Sequence, residues 1–276
     1  MNLRTVKKLL KKYDIYPSKR LGQNFLIDKM VFQKIIKAAN LSKDDIVLEI
    51  GPGIGNLTLE LAKEVKMIVA IEKDKKMCGA LEEILSNLDI KNVEVINKDI
   101  LKINTIYKIL DSRYKLVANL PYYITSPVIR KFLEIEKKPK EMVLMVQKEV
   151  AKRICAKPPK MSILAVSVQF YAKPEIVSFV SKKSFWPQPK VDSAIIKITP
   201  RRSAHTIGVN PLLFFEIVKA GFSHPRKQLI NNLSKKLKIE KEKVRNWLLK
   251  NKIQPAQRAE TLTLKDWSKL AKNYQY

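Results

Sequence analysis

The sequence predicts an α/β fold with a small all-α domain at its C-terminal end. Three observations carry that expectation. Short apolar runs alternate with segments of helical spacing through the first half of the chain; longer, β-branched runs follow; the remainder is helical in pattern. Alternation of strand and helix implies a largely parallel sheet with helices on both faces.

Taken in order, "LRTVKKLLKKYDIYPSKR" places Leu3, Val6, Leu9, Leu10 and Tyr13 on one face of a short amphipathic helix, a basic N-terminal segment over residues 1–20. "DIVLEIG" (Asp45–Gly51) reads as a buried strand ending in glycine, and "NLTLELAKEV" (Asn56–Val65) as a helix. "MIVAIE" (Met67–Glu72) is a second strand, followed by the helical "KKMCGALEEIL". "NVEVINKD" (Asn92–Asp99) is a third and "KLVANLPY" a fourth. "MVLMVQKEVAKRI" (Met142–Ile154) begins as a fifth and turns helical. "SILAVSVQFYAKPEIVSFV" and "KVDSAIIKI" read as late, antiparallel strands that close the sheet. "TPRRSAHTIGVNP" (Thr199–Pro211) has no period and reads as a linker. The main domain therefore runs over residues 21–199 and the helical domain over 200–276.

The net charge is +28, from 54 Lys and Arg against 26 Asp and Glu, and the basic excess occurs in every part of the chain. That favours a polyanionic partner, nucleic acid ahead of an anionic membrane. A Lys-rich proteome is the bland alternative. No apolar run approaches a membrane span, and the basic N-terminus lacks the apolar stretch of a secretory signal. Cys78 and Cys155 are isolated, which suggests free thiols in a reducing cytosol. His205 and His224 have no Cys or His nearby, so no metal site is expected.

"EIGPGIGNLT" follows a strand and opens a helix. Gly51, Gly53 and Gly55 make a G-x-G-x-G turn, and Asn56 stands where a dinucleotide fingerprint would place its last glycine. With Glu49 before it, the turn matches the loop of S-adenosyl-L-methionine-dependent methyltransferases better, a Rossmann-like sheet. Glycines there let the backbone approach the cofactor. Glu72 ends the second strand, where a carboxylate accepts ribose hydroxyls, or is simply solvated. Asp99 ends the third, where it accepts from an adenine amino group, or caps the next helix. All three features sit at C-terminal strand ends, where open α/β sheets bind ligands.

"NLPY" resembles the (N/D)-P-P-(Y/F) signature of methyltransferases acting on exocyclic amino groups. An adenine N6 lone pair is delocalised into the ring and is a poor nucleophile. The Asn119 side-chain oxygen and the Leu120 carbonyl are placed to accept its two hydrogens and favour a pyramidal nitrogen. Pro121 stiffens the turn. Tyr122 offers a face for a flipped base, while Tyr123 packs or lines the rim. An ordinary strand-exit turn with core tyrosines is the weaker alternative.

The segments "KRLGQNFLID", "VLEIGPGIGNLT", "VANLPYYITSPVI", "MVQKEVAKRI" and "FWPQPKVDSAIIKI" resemble, in order, those of the KsgA-type ribosomal RNA adenine dimethyltransferases, along nearly the whole chain. The resemblance implies a cytoplasmic, monomeric enzyme that N6,N6-dimethylates two adjacent adenosines near the 3′ end of 16S rRNA in the maturing small subunit, using S-adenosyl-L-methionine. It implies cofactor contacts from Asn24, Leu26, Gly51, Glu72, Asp99 and Asn119, and an RNA-binding role for residues 200–276. From the residues alone "GQNFL" is an ordinary turn into a helix. The resemblance also sets Phe185 over the target base, opposite Tyr122; a loop aromatic held by Pro187 and Pro189 is the alternative. "FSHPRKQL" departs from the family, because His224 and Pro225 replace part of a basic cluster. Two rivals remain: the related large-subunit enzyme of macrolide resistance, and a non-catalytic RNA-binding assembly factor that has kept the fold.

Overall fold

The computed structural model describes residues 1–18, 22–103, 114–201 and 208–275. Lys19 to Leu21, and the stretch of the expected linker that holds His205, lie outside the described residues. The strands are β1 (Phe25–Leu26), β2 (Ile46–Ile50), β3 (Met67–Glu72), β4 (Val93–Asn97), β5 (Lys115–Asn119), β6 (Met142–Gln147), β7 (Ala172–Val180), β8 (Phe185–Trp186) and β9 (Ser193–Pro200). The helices of the first half are α1 (Leu3–Lys12), α2 (Lys29–Ala39), α3 (Thr58–Leu61), α4 (Lys75–Asn87), α5 (Thr125–Glu134) and α6 (Lys148–Ile154). Those that follow are α7 (Ile163–Tyr171), α8 (Pro211–Gly221), α9 (Leu229–Leu237), α10 (Lys241–Lys250) and α11 (Leu264–Lys272). Among the described residues no helix is long and apolar enough to cross a membrane.

Two compact units divide the chain: Met1–Ala151 with Glu175–Pro200, and Lys152–Pro174 with Arg201–Tyr276. The first holds the sheet, in the order β4-β3-β2-β5-β6-β9-β7. β4, β3, β2, β5 and β6 pair in parallel, and β9 joins β6 antiparallel. Sequential strands run outward on both sides from the β2–β5 pair, so the topological switch point lies there. The central parallel strands are largely apolar on both faces, as in Val47, Leu48 and Ile50 or Leu116, Val117 and Ala118, all buried, whereas the edge strand β4 exposes Glu94 and Asn97. Helix starts are capped: Asp28 accepts the N–H of Met30 for α2, and Asp74 those of Lys76 and Met77 for α4.

The α/β expectation holds, with three local differences. "SILAVSVQFY" is α7, not strand. Ser162 caps it by accepting from the Ala165 N–H, and Ala165, Val166, Val168 and Phe170, at helical spacing, are buried. Tertiary burial overrides the β-branched preference. Ala165, Val166 and Phe170 share a core with Phe214, Leu233 and Trp267, which is why Lys152–Pro174 groups with the C-terminal helices although the composition shift falls later. The helix expected over Asn56–Val65 shortens to the four residues of α3, with turns on either side, and the Asn56 side chain ahead of it donates to the Leu26 carbonyl at 2.6 Å. The turn read into "GQNFL" is present at Gly22 and leads to α2, but Phe25 and Leu26 form a short strand between them: β1 pairs antiparallel with β8, Phe25 opposite Trp186 and Leu26 opposite Phe185.

Candidate active site

A cavity at the switch point gathers the C-terminal ends of β2, β3 and β5 with the β1–β8 ribbon. Every sequence-predicted site residue lines it: Asn24, Leu26, Gly51, Glu72, Asp99, Asn119, Leu120, Pro121, Tyr122 and Phe185.

The glycine loop is shaped by close packing. A Cβ on Gly55 (φ +89) would lie 2.5 Å from Leu81 Cδ1, and Gly51 (φ +68) sits with Pro121 Cδ 3.5 Å from its Cβ direction. The loop and the "NLPY" turn are therefore in mutual contact. Glu72 holds the loop from the next strand: one carboxylate oxygen accepts the Gly53 N–H at 3.1 Å, the other those of Lys73 and Asp74 at 2.8 and 2.9 Å. About four acceptor positions exist on a carboxylate, so after accepting from three backbone N–H groups Glu72 keeps about one to offer a ligand. Burial pushes its pKa up, and the three N–H groups offset part of that. Asp99 lies just beyond β4. Its oxygens accept the Leu101 N–H at 3.0 Å and pair with Lys73 at 2.9 Å. Burial opposes ionisation there, but Lys73 and that N–H outweigh it and hold the carboxyl below its ordinary range.

Asn119 ends β5. Its Nδ2 donates to the Asn24 carbonyl at 3.2 Å. A carbonyl only accepts, so the nitrogen must face it and Oδ1 is the atom left to accept. The Leu120 N–H donates to Met145 O, and the Ile124 N–H to Pro121 O, closing a tight turn into α5. Tyr122 is half-buried with its hydroxyl bonded to Ser193, whereas Tyr123 is exposed. Phe185 is both pocket wall and core, buried with Leu26 and Ile195.

Two features go beyond the sequence reading: the burial of Glu49 and the packing of α1. Glu49, one residue from the end of β2, is 1% exposed; among the described residues its Oε2 has no hydrogen-bond partner, and burial pushes its carboxyl up to about 8. The signal available was a lone acid in the apolar run "IVLEIG". Helix α1 is the second. Its Val6 and Leu10 pack with Phe25, Ile54 and Met77, so the helix backs the cavity wall rather than standing apart.

The chain matches the ribosomal RNA adenine dimethylase family over residues 17–276. It belongs to that family. The chain is 46% identical over 270 residues to ribosomal RNA small subunit methyltransferase A of Dehalococcoides mccartyi, covering 97% of this chain and 92% of the relative. Against the protein of that name from Clostridioides difficile the identity is 41% over 271 residues, 96% of this chain and 93% of the relative. Among solved structures, a dimethyladenosine transferase from Plasmodium falciparum aligns with a TM-score of 0.74 at 30% identity, over 89% of this chain and 95% of that one. The 23S rRNA methyltransferase ErmE aligns at 0.72 and 26% identity, over 90% and 98%.

As a ribosomal RNA adenine dimethylase the protein is an enzyme that acts on ribosomal RNA with S-adenosyl-L-methionine as its cofactor. The cavity fits that cofactor. Ile71, Met77, Ile100 and Leu101 offer apolar walls to a flat heterocycle, Glu72 and Asp99 offer acceptors, and a glycine loop gives close backbone approach.

Proposed function

We propose that this enzyme dimethylates N6 of two adjacent adenosines near the 3′ end of 16S rRNA in the small ribosomal subunit, in the cytoplasm, as the subunit matures. The observation that carries the reading is the Asn119 amide, held by Asn24 so that Oδ1 is the acceptor, beside the glycine loop at the switch point. Asn24, Leu26, Gly51, Glu72, Asp99 and Asn119 hold the cofactor. When bound, it supplies an electrophilic methyl group with a good leaving group, so the chemistry asks for no metal and no strong base.

The protein's part is to present the nitrogen. Asn119 Oδ1 and the Leu120 carbonyl accept the two amino hydrogens and draw the N6 lone pair out of conjugation. Tyr122 and Phe185 hold the base, with Pro121 keeping the acceptors rigid. Acceptors without a charged clamp also admit the singly methylated nitrogen, which permits a second transfer. Residues 200–276 and the exposed lysines of α1 grip RNA backbone by a salt-dependent, sequence-independent attraction, and specificity comes from RNA shape. The chain acts as a monomer. Near-full-length likeness to relatives named for the small subunit favours this reading over a large-subunit target.

Primer extension across both ribosomal RNAs, with mass spectrometry of the product, tests it. Dimethyladenosine at two neighbouring positions of the small-subunit RNA is expected. Modification of the large-subunit RNA, or only monomethyladenosine at saturating cofactor, would overturn it.

A further inference from the structure

Asn119 is steadied by Asn24, but the aromatic groups of the pocket need their own anchors. Tyr122 reaches one: its hydroxyl lies 2.7 Å from Ser193 Oγ. Ser193 is 0% exposed and opens β9, followed by buried Ala194, Ile195 and Ile196. A hydroxyl at such a position is costly unless bonded, and the Tyr122 phenol is the group that bonds it. Ser193 also stands opposite Gln147 at the end of β6, two residues beyond Met145, which is the β6 partner of Asn119.

The residue before it faces the other wall. One Asp192 carboxylate oxygen accepts the Lys182 N–H at 3.2 Å, and the other lies 3.4 Å from the Lys148 ammonium. The Asp192 carbonyl accepts the Lys148 N–H at 3.0 Å. Lys182 begins the single 3-10 turn, Lys182–Ser184, that delivers Phe185. Ser184 in turn donates to Asp28 at 2.8 Å, and its carbonyl accepts the Ile27 N–H at 3.0 Å, tying Phe185 to the strand that follows Asn24. Two adjacent residues at the start of β9, Asp192 just before it and Ser193 opening it, thus brace the two aromatic sides of one pocket.

We propose that Ser193 and Asp192 are positioning residues for methyl transfer: Ser193 fixes the tip and tilt of the Tyr122 ring, and Asp192 fixes the turn that presents Phe185. The inference rests on the reading of the "NLPY" pocket as the adenine site. Neither residue touches the cofactor region, so loss of either should reach the reaction through the base and leave cofactor affinity alone.

The test uses the full chain with a ribosomal RNA substrate that the parent enzyme is first shown to dimethylate; failure at that step counts against the adenine-site reading, not against this one. Ser193→Ala, Tyr122→Phe, their double variant, Asp192→Ala and the Ser193→Ala/Asp192→Ala pair are compared for kcat, RNA KM and cofactor affinity. Loss of one hydrogen bond is expected to lower kcat about 10-fold, with cofactor affinity within about twofold of the parent. Because Ser193 and Tyr122 act through one bond, their double variant should be no slower than the worse single. Ser193→Ala and Asp192→Ala act on different walls and should multiply. Multiplying effects of Ser193→Ala and Tyr122→Phe would overturn the proposal, as would cofactor affinity falling in step with kcat. If Ser193→Ala does not fold, Tyr122→Phe alone reads the same bond, and parent-like turnover overturns it.

Discussion

Where β2, β5 and β6 begin, the Lys115 ammonium, 3% exposed as a residue, contacts Asp45 at 2.9 Å and the Ala39 and Asn40 carbonyls at 3.0 and 2.6 Å. Glu141 lies 3.6 Å away and is paired with Lys197 at 2.7 Å, whose own ammonium reaches the Ala38 carbonyl. Where β2, β3 and β5 finish, the arrangement is the reverse. Glu49 is buried, three backbone N–H groups converge on Glu72, and the Asn119 amide nitrogen donates to Asn24. One end cancels its charges and ties the last turn of α2 to three strand starts. The other keeps acceptors available in a glycine-lined cleft. Burial works on carboxylates at both ends. It is outweighed at Asp45 by Lys115 and Ser42, which hold that carboxyl below its ordinary range, and at Glu49 it prevails. The difference teaches that polar burial in one sheet serves stability where it is closed and chemistry where it is left open.

Lys115→Met should break the comparison most strongly. Removing one partner of a buried ion cluster strands the others and costs about 3–5 kcal/mol, read as a fall in the urea midpoint. Cofactor affinity of the remaining folded protein should be unchanged, since the cluster lies at the far end of the strands; parallel loss of affinity would show the ends to be coupled.

Asn119→Ala should do the opposite. Turnover is expected to fall at least ~100-fold, as for loss of one preorganised polar contact, with a near-parent unfolding midpoint and retained RNA binding. A variant that turns over near the parent rate means the amide does not orient the amino group.

Glu49→Gln sharpens the contrast through pH. A carboxyl raised to about 8 in the folded chain ionises in the unfolded chain near pH 4.3. Between those values the folded state binds the extra proton, so parent stability should fall as pH rises, by up to about 1.4 kcal/mol per unit. Glu49→Gln has no proton to release, and its stability relative to the parent should grow across that window. Identical pH dependence of the two chains, followed by thermal unfolding from pH 5 to 8, would remove Glu49 as a neutral buried acid.

The glycine loop, the acidic strand ends and "NLPY" were legible because each is local: a few consecutive residues whose backbone or side-chain chemistry suits one end of one strand. Asp99 lines the cavity and accepts the Leu101 N–H at the start of a turn. Phe185 likewise belongs to the core and to the pocket wall at once. Asn24 was reached only through family resemblance, because its carbonyl meets Asn119 across 95 positions of chain. The strand reading of "SILAVSVQFY" failed because β-branched apolar runs suit a buried helix as well as a strand, and the helical core that takes up Val166 and Phe170 comes mostly from the far end of the chain.

By itself the sequence determined the strand–helix alternation of the first half, the parallel core and the place of the cofactor loop, since periodicity and backbone-permissive glycines act over a few residues. Tertiary structure alone decided that Glu49 is buried as an acid, that Asn119 turns its oxygen free, that α1 backs the cavity, and that Ser193 reaches Tyr122. Each of those depends on a partner distant in sequence, and desolvation and hydrogen-bond direction exist only once the chain has brought the partner there.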